Sequence, residues 1–323
     1  MSVGIKTIGS EKVTINGEKV KERLNLKKNI SIVQEEKTQE ATNSRPGEII
    51  QIAEDAFVYI TSRSTKRYGT IKYDSTEDKI YISNIGTVSD NDIFASGFKE
   101  NKFYRIYTYY NSEFEIKCVT YTGDFLNSYG KVIETVIGKA KEYTQCFCTT
   151  EEQNEFYIIS STPNIGSSYD INLFDKKTQS MTLVARFEYP GDLYPKMAKY
   201  KNSIYMLLKQ NDLYRVNLEK NTVTLLFKLK EKLSLDMQGI SMTVCDKKLM
   251  FTANKSTTNS WESIRFLYDI EKDKISTPLT IPIKNGKKYV DASFILDKYG
   301  IYQTLAESGY IRTILMKDVY EKV

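Results

Sequence analysis

The 323-residue chain contains no histidine. Ser-His-Asp and Cys-His catalytic sets both need an imidazole that moves the proton, so the sequence excludes them. Zinc sites with histidine ligands and haem held by histidine are excluded for the same reason. Any catalysis by this chain must therefore rest on other side chains.

Cysteine is also scarce, and the four residues Cys118, Cys146, Cys148 and Cys245 form no C-x-x-C pair. Cys146 and Cys148 flank Phe147 in a strand-like stretch, so both thiols are expected on one face. Two interpretations of this pair remain, a two-thiolate metal site and buried free thiols. Free thiols are favoured because cysteine packs as a small hydrophobe. The absence of a disulfide framework favours a reducing compartment. We expect neither a cofactor nor a bound metal.

The chain has no run of about 18 apolar residues, so no helix is predicted to span a membrane. Residues Met1 to Ser10 lack the apolar core of a secretory signal. We expect a cytoplasmic protein if Met1 is the native start, and an envelope or secreted protein if a signal was removed. The net charge of +5 is mild, and no long Lys/Arg run is interleaved with aromatics, so nucleic acid is not an expected partner.

Tyrosine is abundant, with 24 residues against a single tryptophan, and it favours sheets as Ile, Val, Phe and Thr do. Six times a bulky apolar pair follows a short polar turn, at gaps of 46, 53, 48, 45 and 52 residues. The pairs are Phe57-Val58, Phe103-Tyr104, Phe156-Tyr157, Ile204-Tyr205, Leu249-Met250 and Ile301-Tyr302. Such a recurrence of strand-like segments predicts an all-β repeat fold, and a six-bladed β-propeller fits best.

Two other architectures are alternatives to six blades. A pair of β-sandwich domains split near residue 190 would explain the strands but not their even spacing. A seventh blade would need the N-terminal arm to form most of a blade.

The strand plan is clearest in the fourth unit, where four short strands cover 196–201, 203–209, 213–218 and 222–229. The first unit repeats it over 48–54, 56–62, 68–73 and 79–85. An acidic or amide turn follows the third strand in most units, because Asp and Asn side chains can bond their own backbone there.

The last unit has three strands, over 289–297, 301–306 and 310–316, and the chain ends at Val323 without a fourth. An open strand edge invites aggregation, so an N-terminal strand, from 12–15 or 29–33, is predicted to pair with the third strand and close the ring. We expect an N-terminal arm over residues 1–46 and the propeller over 47–323. Within the arm, 18–26 is the helical candidate, and 34–47 is predicted to be an exposed linker.

From about Gly47 to its end, the chain resembles six-bladed propellers of the TolB-like kind, which include bacterial envelope lipoproteins. The resemblance rests on the apolar pair that opens each second strand and on third strands such as Leu213-Tyr214-Arg215-Val216-Asn217-Leu218. The Trp-Asp ending of WD repeats and the paired glycine of kelch repeats are absent. The resemblance implies a propeller protein of bacterial or phage origin, and no catalytic residue can be carried over from it.

In a propeller, the loops between second and third strands and the links between units form one face, and uneven loops often mark the binding side. Three loops, at 62–69, 160–169 and 252–262, are predicted to be long. The candidate ligand- or partner-binding residues on this face are Arg63, Lys66, Arg67, Tyr68, Asn164, Tyr194 and Trp261. The alternative for each is a solvated loop, a packed lid or a plain turn.

The chemistry of these residues suggests two kinds of contact. The guanidinium groups of Arg63 and Arg67 offer a fork to a carboxylate or phosphate. Trp261 is a candidate platform for a sugar or an anchor for a protein partner.

Acidic pairs are the candidates for catalysis. Glu151 and Glu152 fall in a turn on the opposite face, whereas Asp90 and Asp92 lie in a link on the loop-rich face. A two-carboxylate hydrolase needs both groups held across a bond. The stretch from Asp90 to Asp92 lacks the glycine and distal glutamate of a calcium loop.

The sequence therefore favours a non-catalytic binding or scaffold protein that presents one propeller face to a protein or glycan partner. A carbohydrate-active enzyme, either a carboxylate-based hydrolase or a lyase, is the alternative. A structural subunit of a larger assembly is the third possibility. A monomer is favoured over an obligate oligomer.

Overall fold

Antiparallel strands account for most of the described chain in a computed structural model of the protein. The structure describes residues 14–15, 18–19, 24–26, 31–40, 45–51, 55–62, 66–88, 93–97, 102–111, 113–122, 132–140, 144–149, 155–161, 168–175, 178, 180–189, 196–208, 211–245, 247–258, 261–281, 290, 292–296, 299–305, 310–317 and 320–322. The fold of these residues is all-β, as the composition predicts.

The first strands of the chain are short. They are β1 (Thr14–Ile15), which pairs with β2 (Glu18–Lys19), and β3 (Leu24–Leu26). The prediction of a helix over 18–26 is therefore wrong for the strand residues. The two leucines of β3 are spaced at the two-residue period of a strand, and a helix of nine residues is marginal without tertiary support.

The next strand, β4 (Ser31–Glu40), is long and polar. It covers most of the segment predicted to be an exposed linker, and the following strand already begins at Arg45. The linker prediction is wrong because an outer strand is held through backbone hydrogen bonds along one edge. Polar side chains are compatible with that position, so the composition alone did not reveal the strand.

Sheet one contains β5 (Arg45–Gln51), β6 (Ala56–Ser62), β7 (Lys66–Asp74) and β8 (Lys79–Val88), paired in that order. Sheet two contains β9 (Ile93–Gly97), β10 (Lys102–Asn111), β11 (Glu113–Thr122) and β12 (Val132–Ala140). Sheet three contains β13 (Thr144–Thr149), β14 (Glu155–Ser161), β15 (Ser168–Asp175) and β16 (Ser180–Glu188). Each is an antiparallel meander in chain order.

Sheet four contains β17 (Lys196–Tyr200), β18 (Ser203–Leu207), β19 (Asp212–Asn217) and β20 (Thr222–Lys228). The short helix α1 (Leu229–Leu233) follows it. Sheet five contains β21 (Met237–Cys245), β22 (Lys248–Ser256), β23 (Trp261–Asp269), and the two pieces β24 (Lys274–Ile275) and β25 (Leu279–Thr280), which both pair with β23.

Sheet six joins the two ends of the chain. Its strands β26 (Ala292–Leu296), β27 (Tyr299–Leu305) and β28 (Tyr310–Lys317) are followed in space by β4, which pairs antiparallel with β28. The last strand, β29 (Tyr320–Lys322), pairs with β3. The sequence predicts that one of two N-terminal segments covers β28. The first, 12–15, contains β1, which pairs with β2 instead. The second, 29–33, overlaps β4, the strand that pairs with β28.

The first strands of the sheets contact one another in a cycle. β5 contacts β9, β9 contacts β13, β13 contacts β17, β17 contacts β21, β21 contacts β26, and β26 contacts β5. Meanders that meet through their first strands around an axis form a β-propeller. Two separate sandwiches would not produce this cycle.

The apolar pairs that recur in the sequence lie at the starts of the second strands, as predicted, and the described members are buried. In sheet four, Ile204 packs with sheet three, whereas its neighbour Tyr205 packs with sheet five. In sheet five, Leu249 faces sheet four and Met250 faces sheet six. A bulky pair recurs because both faces of the strand are covered by neighbouring sheets.

The turn after the third strand is closed by its own side chain, as predicted. Asp74 Oδ1 accepts hydrogen bonds from the backbone N–H groups of Thr76 at 2.8 Å and Glu77 at 3.1 Å. Asn217 and Asp269 bond their own turns in the same way, at 3.0 to 3.2 Å. These local bonds satisfy turn backbone that faces away from the neighbouring strands.

Polar contacts join sheet six to sheet one. The side-chain amide of Gln34 on β4 accepts from Ile80 N–H at 2.6 Å and donates to the Ile80 carbonyl at 3.1 Å. On β27, Tyr299 donates its hydroxyl hydrogen to Asp78 Oδ1 at 3.2 Å, and Lys317 forms an ion pair with the same carboxylate. The seam between the two sheets is thus held by a strand from the N-terminal arm and by side chains from the C-terminal unit.

We predict that Gln34→Ala lowers the free energy of unfolding by about 1–3 kcal/mol, because the nearly buried Ile80 amide loses its partner. Chemical denaturation of the variant measures this loss. Glu36→Ala is the matched control, since it removes only the exposed contact from Gln34 Nε2 at 2.8 Å. Equal midpoints for the two variants would contradict a structural role for the Gln34 amide.

Candidate functional site

One end of the propeller gathers the hairpins between second and third strands and the links between sheets. Because strands run antiparallel in chain order, the second-to-third hairpin of a sheet lies at the end from which the chain passes to the next sheet. We call this end the link face. Its described members include Leu208 and Asn211 in sheet four and the start of β21 in sheet five.

Asn211 fastens the hairpin of sheet four to the link that follows it. Its carbonyl accepts from Leu229 N–H at 2.9 Å, and its side-chain Nδ2 donates to the Met237 carbonyl at 3.0 Å. Asn211 has a φ of 63°, a conformation that Asn tolerates better than most residues. The link therefore has a defined path across the link face.

Asn254 forms a similar latch between sheet five and the link to sheet six. Its Nδ2 donates to the Val290 carbonyl at 2.5 Å, and its Oδ1 accepts from Val290 N–H at 3.0 Å. Ser263 donates its hydroxyl hydrogen to Asn254 Oδ1 at 2.7 Å and accepts from Val290 N–H at the same distance. A Cβ at Gly239, where φ is 59°, would lie 2.9 Å from Asn254 Nδ2, so glycine leaves room for the latch.

Trp261 begins β23, opposite Ser256, and is half-buried. The next residue, Glu262, accepts a hydrogen bond from Thr280 Oγ1 at 2.5 Å and pairs with Lys255 Nζ at 2.7 Å. The bonds from Lys255 and then Thr280 hold the pKa of Glu262 below its ordinary value. This carboxylate is ionised at neutral pH and suits an electrostatic contact rather than proton donation.

Asp212 differs from Glu262, because it is only 5% exposed at the start of β19. Burial raises the pKa of the Asp212 carboxyl, against a smaller lowering by Lys228 and together with a raising by Glu231. Lys228 and Glu231 are themselves 3.3 Å apart. The Tyr214 ring lies beside this group and meets the Tyr189 ring edge-on, with centroids 6.2 Å apart.

The residues predicted from the sequence are partly described. Lys66, Arg67 and Tyr68 open β7 and pair through their backbone with Val88, Thr87 and Gly86. Arg63, Asn164 and Tyr194 lie outside the described residues. Trp261 and the start of β7 both belong to second-to-third hairpins. That their side chains contact the same partner stays a prediction.

Two of the three loops predicted to be long, at 62–69 and 252–262, are shorter than expected, and residues 162–167 of the loop predicted at 160–169 lie outside the described residues. Strand β7 begins at Lys66, which leaves 63–65 as the first loop, and β22 runs to Ser256, which leaves 257–260 as the third. The buried residues Thr252 and Asn254 belong to the strand, since they are paired with Arg265 and Ser263. Polar side chains in this segment suggested a loop, but they face a neighbouring sheet.

The acidic candidates Asp90, Asp92, Glu151 and Glu152 lie outside the described residues. Within the part of the chain that the structure describes, no group of three or more His, Cys, Asp or Glu side chains is placed to hold a metal. In that same part, no helix has both the length and the apolar character needed to cross a bilayer.

Sequence reasoning missed Asp212 and Asn254. The sequence predicts a tight turn at 210–212, but nothing in the turn pattern indicates that Asp212 is buried. The sequence does contain one signal for these polar residues. An Asn or Asp stands beside the second-to-third hairpin in consecutive units, at Asn211 and Asn254.

Comparison with known proteins yields structural similarities only. No protein-family model matches the chain, and no curated protein matches it. An oligogalacturonate lyase from Vibrio parahaemolyticus is similar at a TM-score of 0.49 and 8% identity, covering 92% of this chain and 86% of that one. An oligogalacturonate lyase in complex with manganese gives 0.48 and 9%, covering 91% and 98%.

TolB from Acinetobacter baumannii is also similar, at a TM-score of 0.44 and 11% identity, covering 87% of this chain and 66% of TolB. TolB-type propellers are the kind that the repeat pattern resembles. The strand pairing and the cycle of first strands in this chain itself define the propeller.

We predict that Asp212→Asn stabilises the protein near neutral pH. The folded pKa of Asp212 is raised, so its favourable contribution is present below the ordinary pKa and is lost as pH rises through the folded value. The neutral amide avoids this loss, and its advantage should shrink on acidification. Denaturation midpoints of both proteins across this acidic range measure the effect.

Asp74→Asn is the control for that experiment. Backbone hydrogen bonds from Glu77 and then Thr76 lower the pKa of Asp74. Its stabilisation is present above the ordinary pKa and is lost on acidification, so this variant should show the opposite dependence on pH. Parallel pH profiles for the two variants would contradict the assignment of Asp212 as a carboxyl destabilised by burial.

Proposed function

We propose that the chain is a non-catalytic binding protein whose link face recognises a protein or glycan partner. The observation that carries the proposal is the half-buried Trp261 at the end of sheet five, beside the ionised Glu262 and Lys255. An aromatic side chain next to fixed hydrogen-bonding groups suits the apolar face and hydroxyls of a sugar, or a protein anchor.

Rigidity of the link face supports a recognition role. The latches of Asn211 and Asn254 fix the links on either side of sheet five, so the surface around Trp261 is organised before a partner arrives. A preorganised surface loses less conformational entropy on binding than a mobile loop does. Arg63, Lys66, Arg67, Tyr68, Asn164 and Tyr194 are proposed as further contacts on this face.

The scaffold in this proposal is a six-bladed propeller over residues 47–323 with an arm over 1–46. The six first strands that contact one another in a cycle support the blade count. The pairing of β4 with β28 supports closure of the last blade by a strand from the arm. The proposal treats the protein as a monomer.

Asp212 favours a second candidate function, a carbohydrate-active enzyme. A carboxyl whose pKa is raised by burial is the form that a general acid takes in glycoside hydrolysis. Its neighbours Tyr214 and Lys228 are further polar groups near the same position. Such an enzyme would need a second carboxylate held across the scissile bond.

We predict that Trp261→Ala weakens binding to a glycan identified on a glycan array by about tenfold or more, because the platform is lost. Isothermal titration with that glycan measures the change. Tyr81→Ala is the control, since Tyr81 is 45% exposed on the outer strand of sheet one. The triple variant Arg63→Ala, Arg67→Ala, Trp261→Ala should remove measurable binding.

Equal affinities of the Trp261→Ala and Tyr81→Ala variants would show that Trp261 is not part of the site. The same glycans should also be tested for cleavage. Turnover that falls by about 10²-fold or more in Asp212→Asn would replace the binding proposal with the enzymatic one.

A further inference from the structure

The end of the propeller opposite the link face gathers the turns between first and second strands and between third and fourth strands. We call this end the turn face. In sheet one, Tyr73 of the third strand donates its hydroxyl hydrogen to Asp78 Oδ1 in the following turn at 3.1 Å. In sheet five, Tyr268 donates to Asp273 Oδ1 in the same way at 2.8 Å. Both aspartates have a left-handed φ, 54° and 50°, so the two turns present their carboxylates alike.

In sheet one, the turn carboxylate is also bound by the preceding sheet. Sheet six supplies Tyr299, whose hydroxyl donates to Asp78 Oδ1 at 3.2 Å, and Lys317, which forms an ion pair with the same carboxylate. The Lys317 ammonium also lies over the Tyr299 ring, 5.8 Å from its centroid. At the turn face, the seam between sheets six and one is therefore closed by a direct pair of opposite charges.

The seam between sheets four and five also contains a cation from the preceding sheet. Tyr205 and Leu213 of sheet four pack against sheet five. Arg215 is opposite Tyr205 in the strand register and stands two residues after Leu213. Since side chains alternate along a strand, Arg215 faces sheet five as well.

The two opposite charges of this seam do not form an ion pair. Among the described residues, the guanidinium of Arg215 donates one hydrogen bond, from Nε to Ser203 Oγ at 2.9 Å. In the same part of the chain, the Asp273 carboxylate accepts one hydrogen bond, the one from Tyr268. The two terminal nitrogens of Arg215 and Asp273 Oδ2 are therefore available to a ligand.

Both charged groups lie beside the phenol of Tyr268. Burial, followed by the hydrogen bond to Asp273, raises the pKa of Tyr268, whereas the Arg215 guanidinium lowers it. Arg215 also lowers the pKa of Tyr205, against the larger raising caused by burial. Because the interaction between charges weakens with distance, the guanidinium must lie near both rings, and the carboxylate is bonded to one of them. Arg215 and Asp273 thus flank one tyrosine.

Arg215 and Asp273 are exposed, yet each is oriented by a buried partner. Ser203, which holds Arg215 Nε, is 5% exposed, and Tyr268, which holds the Asp273 carboxylate, is 4% exposed. With Nε engaged, the two terminal nitrogens of Arg215 form a fork that fits a carboxylate. Asp273 Oδ2 can accept a hydrogen bond from an ammonium group. Two oriented groups of opposite charge differ from solvated surface side chains, because their geometry is set before a ligand binds.

Aromatic surface borders the two charges. Tyr200 and Phe227 are half-buried and pack in the cluster that contains Tyr205 and Tyr268. The Phe227 ring meets the Tyr268 ring edge-on, with centroids 5.0 Å apart. An apolar substituent of a ligand therefore has ring surface to cover beside the charged groups.

We propose that this seam binds a free α-amino acid. Its carboxylate lies on the terminal nitrogens of Arg215, its ammonium group on Asp273 Oδ2, and its side chain beside the rings of Tyr200 and Phe227. The ligand would make the bridge between two sheets that Lys317 and Asp78 make directly at the other seam. The site lies at the opposite end of the propeller from Trp261 and does not depend on the function proposed for the link face.

The presence of both charges selects this class of ligand. A simple anion would be attracted by Arg215 but repelled by Asp273, and a simple cation would meet the reverse. A molecule that carries a carboxylate and an ammonium group a few bonds apart satisfies both at once. Such a pair is common to all free amino acids, whereas the apolar ring surface favours those with an apolar side chain.

The first test uses the wild-type full chain. Isothermal titration at constant ionic strength with each of the common L-amino acids should find at least one that binds with a Kd below about 1 mM. Its N-acetyl derivative lacks the ammonium charge, and its amide lacks the carboxylate. Each derivative should bind at least about tenfold more weakly, because one of the two charged contacts is lost.

Variants then locate the site. Arg215→Gln and Asp273→Asn should each weaken binding of that amino acid by about tenfold or more. Arg186→Gln is the matched control, because Arg186 is an exposed arginine of sheet three whose Nε pairs with Asp170 at 2.6 Å, and it should bind as the wild type does.

Three results would overturn the proposal. One is that no amino acid binds the wild type at concentrations up to about 10 mM. Another is equal binding of the free amino acid and its two derivatives, since recognition would then not use both charges. These two results need no variant to fold. The third is an affinity of Arg215→Gln and Asp273→Asn equal to that of Arg186→Gln, which would place the amino acid elsewhere on the protein.

Discussion

The fold depends on how the last sheet is completed. The three strands that the C-terminal unit contributes, β26 to β28, would leave β28 as an open edge, and β4 from the other end of the chain pairs with that edge. An uncovered edge is a template for association with other chains, so this pairing both completes the sheet and protects the protein. Contacts from Gln34 to Ile80 and from Tyr299 and Lys317 to Asp78 then join sheet six to sheet one. The cycle of first strands, and with it the link face, depends on this seam.

The described buried residues do not share one core, because a second strand such as β18 is buried on both of its faces by neighbouring sheets. Buried residues form separate layers between consecutive sheets, and adjacent residues such as Ile204 and Tyr205 belong to different layers. A change in one residue of a pair therefore affects one interface and not the other. The layer between sheets five and six changes from apolar residues around Met250 to arginines and hydroxyls near the link face.

The link face combines fixed backbone with paired charges. Asn211 and Asn254 fasten its links, and Glu262 is held ionised by Lys255 and Thr280. These features suit recognition, in which geometry is set in advance and charges do not change. Asp212 is the exception, because burial rather than a charge partner governs its pKa. Binding would use the ionised Glu262, whereas catalysis would use the buried Asp212 carboxyl of the same face. Variants of different residues therefore separate the two functions experimentally.

The sequence by itself determined the local features of this protein. Apolar pairs marked the second strands, and the third-strand turns closed by Asp74, Asn217 and Asp269 were recognised, because period-two patterns and side-chain-to-backbone bonds involve only neighbouring residues. The tertiary structure alone decided which distant segments meet. The polar strand β4 was mistaken for a linker, because its place in a sheet comes from pairing with residues almost at the other end of the chain. Thr252 and Asp212 read as loop and turn residues, because their burial is set by neighbouring sheets, and no local pattern records which side chains those sheets bring near.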